Sequence, residues 1–472
     1  MSELESYYKG GGSSAYHPKL LIKVWLYGYC EQIYTSRRLS KMIRENINFM
    51  WLSGHQQPCF KTLNSFRSGP LSDIVDLVFK EVLKLLIDLD YIDINDLYVD
   101  GSKWEANGNR HKVVWRKNTE RYKKTVIARI ELLLADIKQL QQEEEDKHGK
   151  EDLSELGKGR DLRVVITSEM VNAQLTHLSS LVSAESARHK SRMSEGCVES
   201  KEAKSDLEKD LGKLGKKLLI EQEKLMKYES QEAILGGRNS YNRTDEDATM
   251  LRMKDERLLP GYNVQHTTTH QYIVNYTIAQ NASDSPTLIP HLEKMTERFE
   301  GLDIKEAINE PESRTLGADA GYGSEENYAY LEKKGIIAYV KYPLWYQEQT
   351  GELSKKMFKR ENWAYDKASD TYSCPNKHSL KFTYERVDKT SNGYERTVRI
   401  YTCESCKDCP FAQQCKQTED KNRTVQHSVE GERYKEQAKE LLRTDRGKVI
   451  RKQRSIEVES VFGDLKFNMH HN

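Results

Sequence analysis

The sequence predicts an α/β protein: a mixed sheet flanked by helices, with a helical N-terminal domain, a helical or coiled-coil insertion and a small Cys-rich insertion. Three observations lead there. No proline interrupts residues 71–259, which leaves room for long helices. After Pro260-Gly261 the pattern turns to alternation through Val264, His266, Thr268 and His270, and strand-like runs then alternate with helical ones. Five of the eight cysteines, Cys374, Cys403, Cys406, Cys409 and Cys415, fall within 42 positions.

Composition excludes several classes. The chain has 472 residues, is 37% hydrophobic and has a mean hydropathy of −0.80. No run approaches the ~20 apolar residues of a spanning helix. Its 26 Tyr, 10 Phe and 6 Trp are enough core material to argue against general disorder. The start, MSELESYYKGGGSS, lacks the apolar stretch of a secretory signal, so a cytoplasmic protein with reduced thiols is expected. Cys30, Cys59 and Cys197 are scattered singly and read as buried or inert. Lys+Arg number 74 and Asp+Glu 73, a net of +1, which at first argues against a polyanionic partner. The sum conceals a basic start: residues 1–70 hold 9 Lys+Arg and 4 Asp+Glu, a local +5.

Each element follows from its pattern. Leu20, Leu21, Val24, Trp25 and Tyr29 recur at helical spacing after Pro18, and Leu39, Ile43 and Ile47 form a second helix introduced by Ser36-Arg37-Arg38. A helix-turn-helix DNA reader has this look, and so has any small helical bundle with a basic face. Residues 72–90 form an amphipathic helix, and Leu97-Tyr98-Val99-Asp100 a short buried strand ending on a carboxylate. Val126, Ile130, Leu133, Ile137 and Leu140, then Leu207, Leu211, Leu214 and Leu218, give the seam of an antiparallel hairpin or coiled coil. Glu221 breaks its second half, Gly212 and Gly215 weaken it, and the polar stretch 141–161 is a loop or solvated region. QYIVNYTIAQ is a β-rich run, followed by a helix at 286–300, a strand ending at Asp319, a strand at 336–342 and a helical stretch at 430–466.

Phosphate-loop, dinucleotide, zinc-protease and serine-elbow motifs are absent. His266 and His270 have metal-ligand spacing for a helix, but three threonines lie between them and a structural reading is favoured. What remains is a set of acids at element ends. Asp100 precedes Gly-Ser and Asp319 precedes Ala-Gly-Tyr-Gly, where small residues let a substrate approach. The third lies in RKQRSIEVESVFGDLK, where Arg451, Lys452 and Arg454 lead into Glu457 and Glu459 and Lys466 closes the run. Carboxylates flanked by cations suit a metal beside a nucleic-acid phosphate. Cys403-x2-Cys406-x2-Cys409-x5-Cys415 suggests tetrahedral zinc, with Cys374 and His378 as alternative ligands and metal-free thiols as the competing reading.

Taken together, VDGSKWEAN (99–107), ADAGYGSEEN (318–327) and RSIEVESVFGDLK (454–466) resemble the three catalytic blocks of bacterial insertion-sequence DDE transposases, in the branch with an InsH-like helical N-terminal domain. NRTDEDATMLRMKD (242–255), GYNVQ (261–265) and the Cys-bearing segment are also similar to that branch, so the resemblance spans nearly the whole chain and is weakest at 118–232.

The resemblance implies an RNase H-like core in which Asp100, Asp319 and Glu459 bind two Mg²⁺ (or Mn²⁺) ions and cut and transfer DNA strands by two-metal phosphoryl transfer. Glu457 competes with Glu459; the E-x-x-F-G frame and the seven-residue step to Lys466 select Glu459. Arg454 lies five before Glu459, where the commoner signature has arginine four before, a place held here by Ser455. Expected DNA contacts are Arg37, Arg38, Lys41, Arg451, Arg454 and Lys466. Expected partners are terminal inverted repeats and target DNA, bound by a homodimer or larger assembly in the bacterial nucleoid, with one zinc in the Cys segment. The expected divisions are 1–90 DNA-binding, 91–117 first core part, 118–240 insertion, 241–365 core continued, 366–425 zinc module and 426–472 last helix. The chain ends six residues after Lys466 where relatives continue through another helix, so the last helix is expected to be short. A decayed transposase acting only as a zinc-containing DNA-binding protein and a host RNase H-like nuclease are the alternatives.

Overall fold

The computed structural model describes residues 15–148, 166–195, 206–300, 314–416, 418 and 420–469. Helices α1 (Pro18–Cys30), α2 (Ser36–Glu45), α3 (Ile47–Leu52), α4 (Phe60–Ser68) and α5 (Pro70–Asp88) come first. Strands β1 (Asp96–Glu105) and β2 (Val113–Trp115) lead into α6 (Arg116–His148), α7 (Ser168–Glu195) and α8 (Asp206–Leu235). Then come β3 (Ser240–Asn242), β4 (Thr249–Arg252), β5 (Leu258–Thr269), β6 (Tyr272–Ala279) and α9 (Leu288–Glu300). After these lie β7 (Thr315–Ala318), α10 (Glu325–Lys333), β8 (Ile337–Val340) and α11 (Trp345–Gln349). Strands β9 (Ala364–Asp366), β10 (Thr371–Ser373), β11 (Ser379–Lys389), β12 (Glu395–Cys403) and β13 (Thr424–His427) precede α13 (Val429–Arg443) and α14 (Asp445–Gly463); the turn α12 (Ala412–Cys415) lies before β13. The chain forms two compact units: Met1–Ser102 with Asn263–Ala279 and Ser283–Asn472, and Lys103–Tyr262 with Gln280–Ala282.

In the first unit, α1 to α5 close around Trp25, Leu39, Ile43, Phe49 and Leu63. Pro18 opens α1, where its missing N–H costs nothing, and the Thr35 hydroxyl caps α2 through Arg38 N. The second helix does not continue through Ile47 as expected. Asn46 takes an extended backbone (φ −109°, ψ 127°), its carboxamide caps α3 at Asn48 N and Phe49 N, and Ile47 is left 78% exposed. A side chain able to cap the next helix ends the first one. Cys30 and Cys59 are exposed rather than buried, one at the last residue of α1 and the other directly before α4; Cys197 lies outside the described residues.

The sheet of this unit runs β6-β5-β1-β7-β8. β1 and β7 are parallel, from Asp96 opposite Thr315 to Val99 opposite Ala318, and β8 is parallel to β7. β5 and β6 form an antiparallel hairpin. In chain order that is 3-2-1-4-5, a mixed sheet flanked by helices and consistent with an RNase H-like core. Its central strands are buried on both faces: Leu97 and Val99 on one side of β1 and Tyr98 on the other, Leu316 and Ala318 on one side of β7 and Thr315 on the other. Helices α9, α10, α13 and α14 supply Leu288, Leu292, Leu331, Leu442 and Ile450 to the same core. β1 does not end at Asp100; it continues to Glu105.

Beyond this, β9 to β13 form a separate antiparallel sheet in the order β13-β12-β11-β10-β9. Tyr372, Leu380 and Tyr401 fill its core, and Asp370 accepts from both Tyr365 Oη and Tyr401 Oη at 2.6 Å.

In the second unit β2 pairs with β3, and β4 with the start of β5. The expected two-helix seam is a three-helix packing: α7 adds Val171 and Leu178 to Val126, Ile130, Ile137, Leu211, Leu218 and Leu225. The sequence hides α7 because its apolar positions are diluted by Ser, His and Ala. Glu221 interrupts the apolar seam between Leu218 and Leu225 while the helix runs on, and Lys224 at 2.6 Å and Arg129 at 3.7 Å compensate its carboxylate. Gly212 and Gly215 lie within the helix as well, each costing about 1 kcal/mol against alanine. Of the polar stretch 141–161, residues 141–148 continue α6 and 149–161 lie outside the described residues; so does the side chain of Leu207.

Candidate active site

Asp100 and Asp319 come together because their strands are parallel neighbours in register: Val99 faces Ala318, and each aspartate follows directly. Across them lies α14. Arg454, 8% exposed, places Nη2 2.8 Å from Asp100 Oδ2 and 3.8 Å from Asp319 Oδ2. Asp100 also accepts from Gly101 N at 2.9 Å, and Asp319 from Gly321 N at 2.8 Å. Burial pushes the Asp100 carboxyl up to about 6; Arg454 opposes this, while Asp319 and, more weakly, Asp284 add to it. It is therefore an anion that its surroundings tolerate only with a cation close by.

Asp284 is a site residue that the sequence reading missed. Its Oδ1 accepts from Asn263 Nδ2 at 2.8 Å and Gln265 Nε2 at 3.3 Å, and Gln265 also accepts from the buried Tyr322 hydroxyl. This network explains Gly101: a Cβ there would sit 2.4 Å from Gln265 Nε2 and 2.7 Å from Asp284 Oδ1. The glycine after Asp100 is thus required by internal packing, not only by substrate approach. In sequence, Asp284 stands before Ser285-Pro286 at a helix start, where aspartate ordinarily signals nothing more than a cap.

The two glutamates of α14 are placed differently. Glu457 is 3% exposed; its carboxylate accepts from Gln271 N and from Gln453 Nε2 at 2.9 Å, tying the helix to the β5–β6 turn. Glu459 is exposed on the same helix. Two residues along a helix is about 200° of rotation, so the two cannot share a face. Phe462 meets the His266 ring edge-on at 5.2 Å. Burial holds His266 down at about 4, with the Lys466 charge acting in the same direction. His266 sits in β5 and His270 in the following turn, so the pair is not helical.

Arg37, Arg38 and Lys41 are exposed on α2; Arg37 lies 4.9 Å over Phe60 and Lys41 pairs with Glu45 at 3.6 Å. Arg451 packs over Trp345 at 5.2 Å.

The thiols gather in a second place. Cys374, His378, Cys403, Cys406, Cys409 and Cys415 line one cavity of about 20 Å³, room for a single ion or water. Backbone N–H groups of His378 and Arg423 point at Cys374 Sγ and Cys406 Sγ, each at 3.3 Å. Burial pushes the Cys403 and Cys415 thiols up. Among the described residues, no three His, Cys, Asp or Glu side chains are drawn into a preformed metal-ligand set at either place. The donor chemistry still differs in kind: hard carboxylate oxygens suit Mg²⁺, and soft thiolates suit Zn²⁺.

Among the described residues no helix is long and apolar enough to cross a membrane. No curated protein and no solved structure matches the chain. Two family models do: the transposase DDE domain over residues 373–472 and a transposase domain (DUF772) over residues 1–69. The DDE-domain match implies a DNA substrate and suggests a nuclease or transposition enzyme activity. Transposase models matched at both ends of the chain indicate a DDE transposase of insertion-sequence type.

Proposed function

We propose that the protein cuts DNA at the ends of a mobile element and joins the freed ends to a target, with chemistry at Asp100 and Asp319 and with Glu459 as the third acid. The observation that carries this reading is the meeting of the two aspartates at one guanidinium. Such a pair of anions, one of them pushed up by burial, is suited to a divalent cation and the phosphate it accompanies. Bound there, Mg²⁺ or Mn²⁺ would supply the charge that activates the attacking oxygen and steadies the leaving one. The chain's own part is to hold the acids: β1 and β7 fix their spacing, Gly101 N and Gly321 N orient the carboxylates, and the Asn263–Gln265–Asp284 network keeps the strand end rigid. Arg454 offsets part of the acids' charge and would be free to bind phosphate if a cation took its place.

Glu459 is preferred to Glu457 because the latter's two oxygens are already committed to Gln271 and Gln453. Reaching the aspartates requires α14 to turn or shift on binding DNA. Arg37, Arg38, Lys41, Arg451 and Lys466 are proposed to contact DNA, as a homodimer or larger assembly on terminal repeats. One zinc is proposed in the Cys cavity, in a structural role. The proposed divisions follow the pattern set out above, with 1–90 as the DNA-binding part and 366–425 as the zinc module.

Asp100→Asn is expected to abolish cleavage of an end-containing duplex while binding persists; full activity would remove the assignment. Glu459→Gln should do the same, and Glu457→Gln should instead lower stability with cleavage retained. The reverse pattern would transfer the third acid to Glu457.

A further inference from the structure

Next to the acid pair lies a cavity of whose lining the proposed DNA contacts include Arg451 alone. It measures about 350 Å³, begins at Ala320, the residue after Asp319, and is lined by Lys341, Trp345, Tyr346, Lys448, Arg451 and Lys452. Four of these side chains are cationic, and no carboxylate joins them in the lining. Lys448 has only a surface pair with Asp445 at 2.8 Å, 61% and 99% exposed, which holds it weakly. Among the described residues Lys341 and Lys452 form no salt bridge. Arg451 is fixed over Trp345, which is buried edge-on against Tyr342. Tyr346, the very next residue, is 69% exposed.

A cavity whose lining holds four cations and no carboxylate, with an exposed aromatic ring beside it, has the two properties of a single-strand nucleic-acid site: charge for the backbone and a face for a base. Its volume is at the small end for organic ligands, enough for one nucleotide and too little for a duplex. We propose that it holds one unpaired nucleotide of the DNA strand being cut, with Tyr346 stacked on the base and Lys341, Lys448 and Lys452 on the flanking phosphates. The inference rests on the acid pair being the reacting site. It adds that the substrate is melted or tailed next to that site, since a paired base could not enter.

The test uses the full chain without divalent metal, so that binding is read apart from cleavage. Two probes are compared by fluorescence anisotropy: a blunt duplex, and the same duplex with a short thymidine tail at its 3′ or 5′ end. Wild type should prefer the tailed probe. Tyr346→Ala should weaken tailed binding by about tenfold, within the range of one lost base stack, and leave blunt binding unchanged, with Tyr346→Trp restoring it. The Lys341→Ala/Lys452→Ala double variant should also weaken tailed binding and reduce its salt dependence by about one to two charges. Folded variants that bind the tailed probe like wild type, or that lose both probes equally, would overturn the proposal. Asp100→Asn separates the two ideas: it should keep the tail preference while losing cleavage. An active Asp100→Asn would strike the active-site reading, and a missing tail preference would strike the cavity alone.

Discussion

The acid pair and the thiol cluster solve opposite problems of polar burial. Asp100 and Asp319 arrive with their own counter-ion, because Arg454 on α14 is delivered to within 2.8 Å of Asp100 Oδ2 by the packing of the core. The cysteines have a weaker counter-charge: Arg423 lines their cavity and pulls the Cys415 thiol down, but burial outweighs it. Five thiols converge, burial drives Cys403 and Cys415 toward their neutral forms, and ionising any one is opposed by the next. The first site therefore carries part of its counter-charge within the fold, one guanidinium against two carboxylates. The second is complete only as neutral thiols, or as thiolates around an added cation.

The largest expected effect breaks that contrast on the thiol side. If zinc holds the cluster, purified protein contains about one zinc per chain, and strong chelation or Cys406→Ser disorders the β9–β13 sheet around it. Structural zinc contributes on the order of 10 kcal/mol to small domains. Metal analysis with circular dichroism checks this; zinc far below stoichiometric in well-folded protein would show that neutral thiols suffice.

A smaller effect tests the acid side. Arg454→Ala should destabilise the first unit by about 1–3 kcal/mol, less than the loss of a fully enclosed partner because Asp319 is open to solvent. Adding Asp100→Asn should recover part of that loss. Denaturant unfolding of the four proteins in this cycle measures the coupling; strictly additive losses would mean the guanidinium is not their counter-ion.

A third effect, read against pH, concerns a group buried with neither metal nor ion partner. His291 lies between Thr267 Oγ1 and Thr277 Oγ1, each at 2.7 Å. Burial, with His266 and Arg298 adding to it, holds it down at about 3. The unfolded chain takes up this proton near pH ~6.5 and the folded one does not. Stability is thus present above ~6.5 and is lost as pH falls toward 3, by up to about 1.4 kcal/mol per unit for this group. Melting temperature followed from pH 7 to 4 should show the slope, and His291→Gln should flatten it.

How much was legible in advance follows from range. Strands β1 and β7 with their aspartates, the helical N-terminal segment and the Cys spacing are local signals, each carried by residues close in sequence, although β1 runs on past Asp100 to Glu105. Helix α7 was not legible because its apolar stripe is weak until α6 and α8 cover it. The break at Asn46 was missed because a carboxamide cap leaves no mark on hydrophobic periodicity. Asp284 was missed because its meaning comes from Asn263 and Gln265, about twenty residues away, and from Gly101, which is farther still.

The sequence alone determined which residues could do chemistry: two acids on strand ends, a glutamate-bearing helix and a run of thiols, each specified by local pattern and residue type. Only the tertiary structure decided how their charges are balanced. Parallel pairing of β1 with β7 sets the aspartates side by side, and the rotation of α14 turns Arg454 and Glu457 inward and Glu459 outward. Electrostatic compensation depends on distances of a few ångströms between groups hundreds of residues apart, and no periodicity along the chain records those.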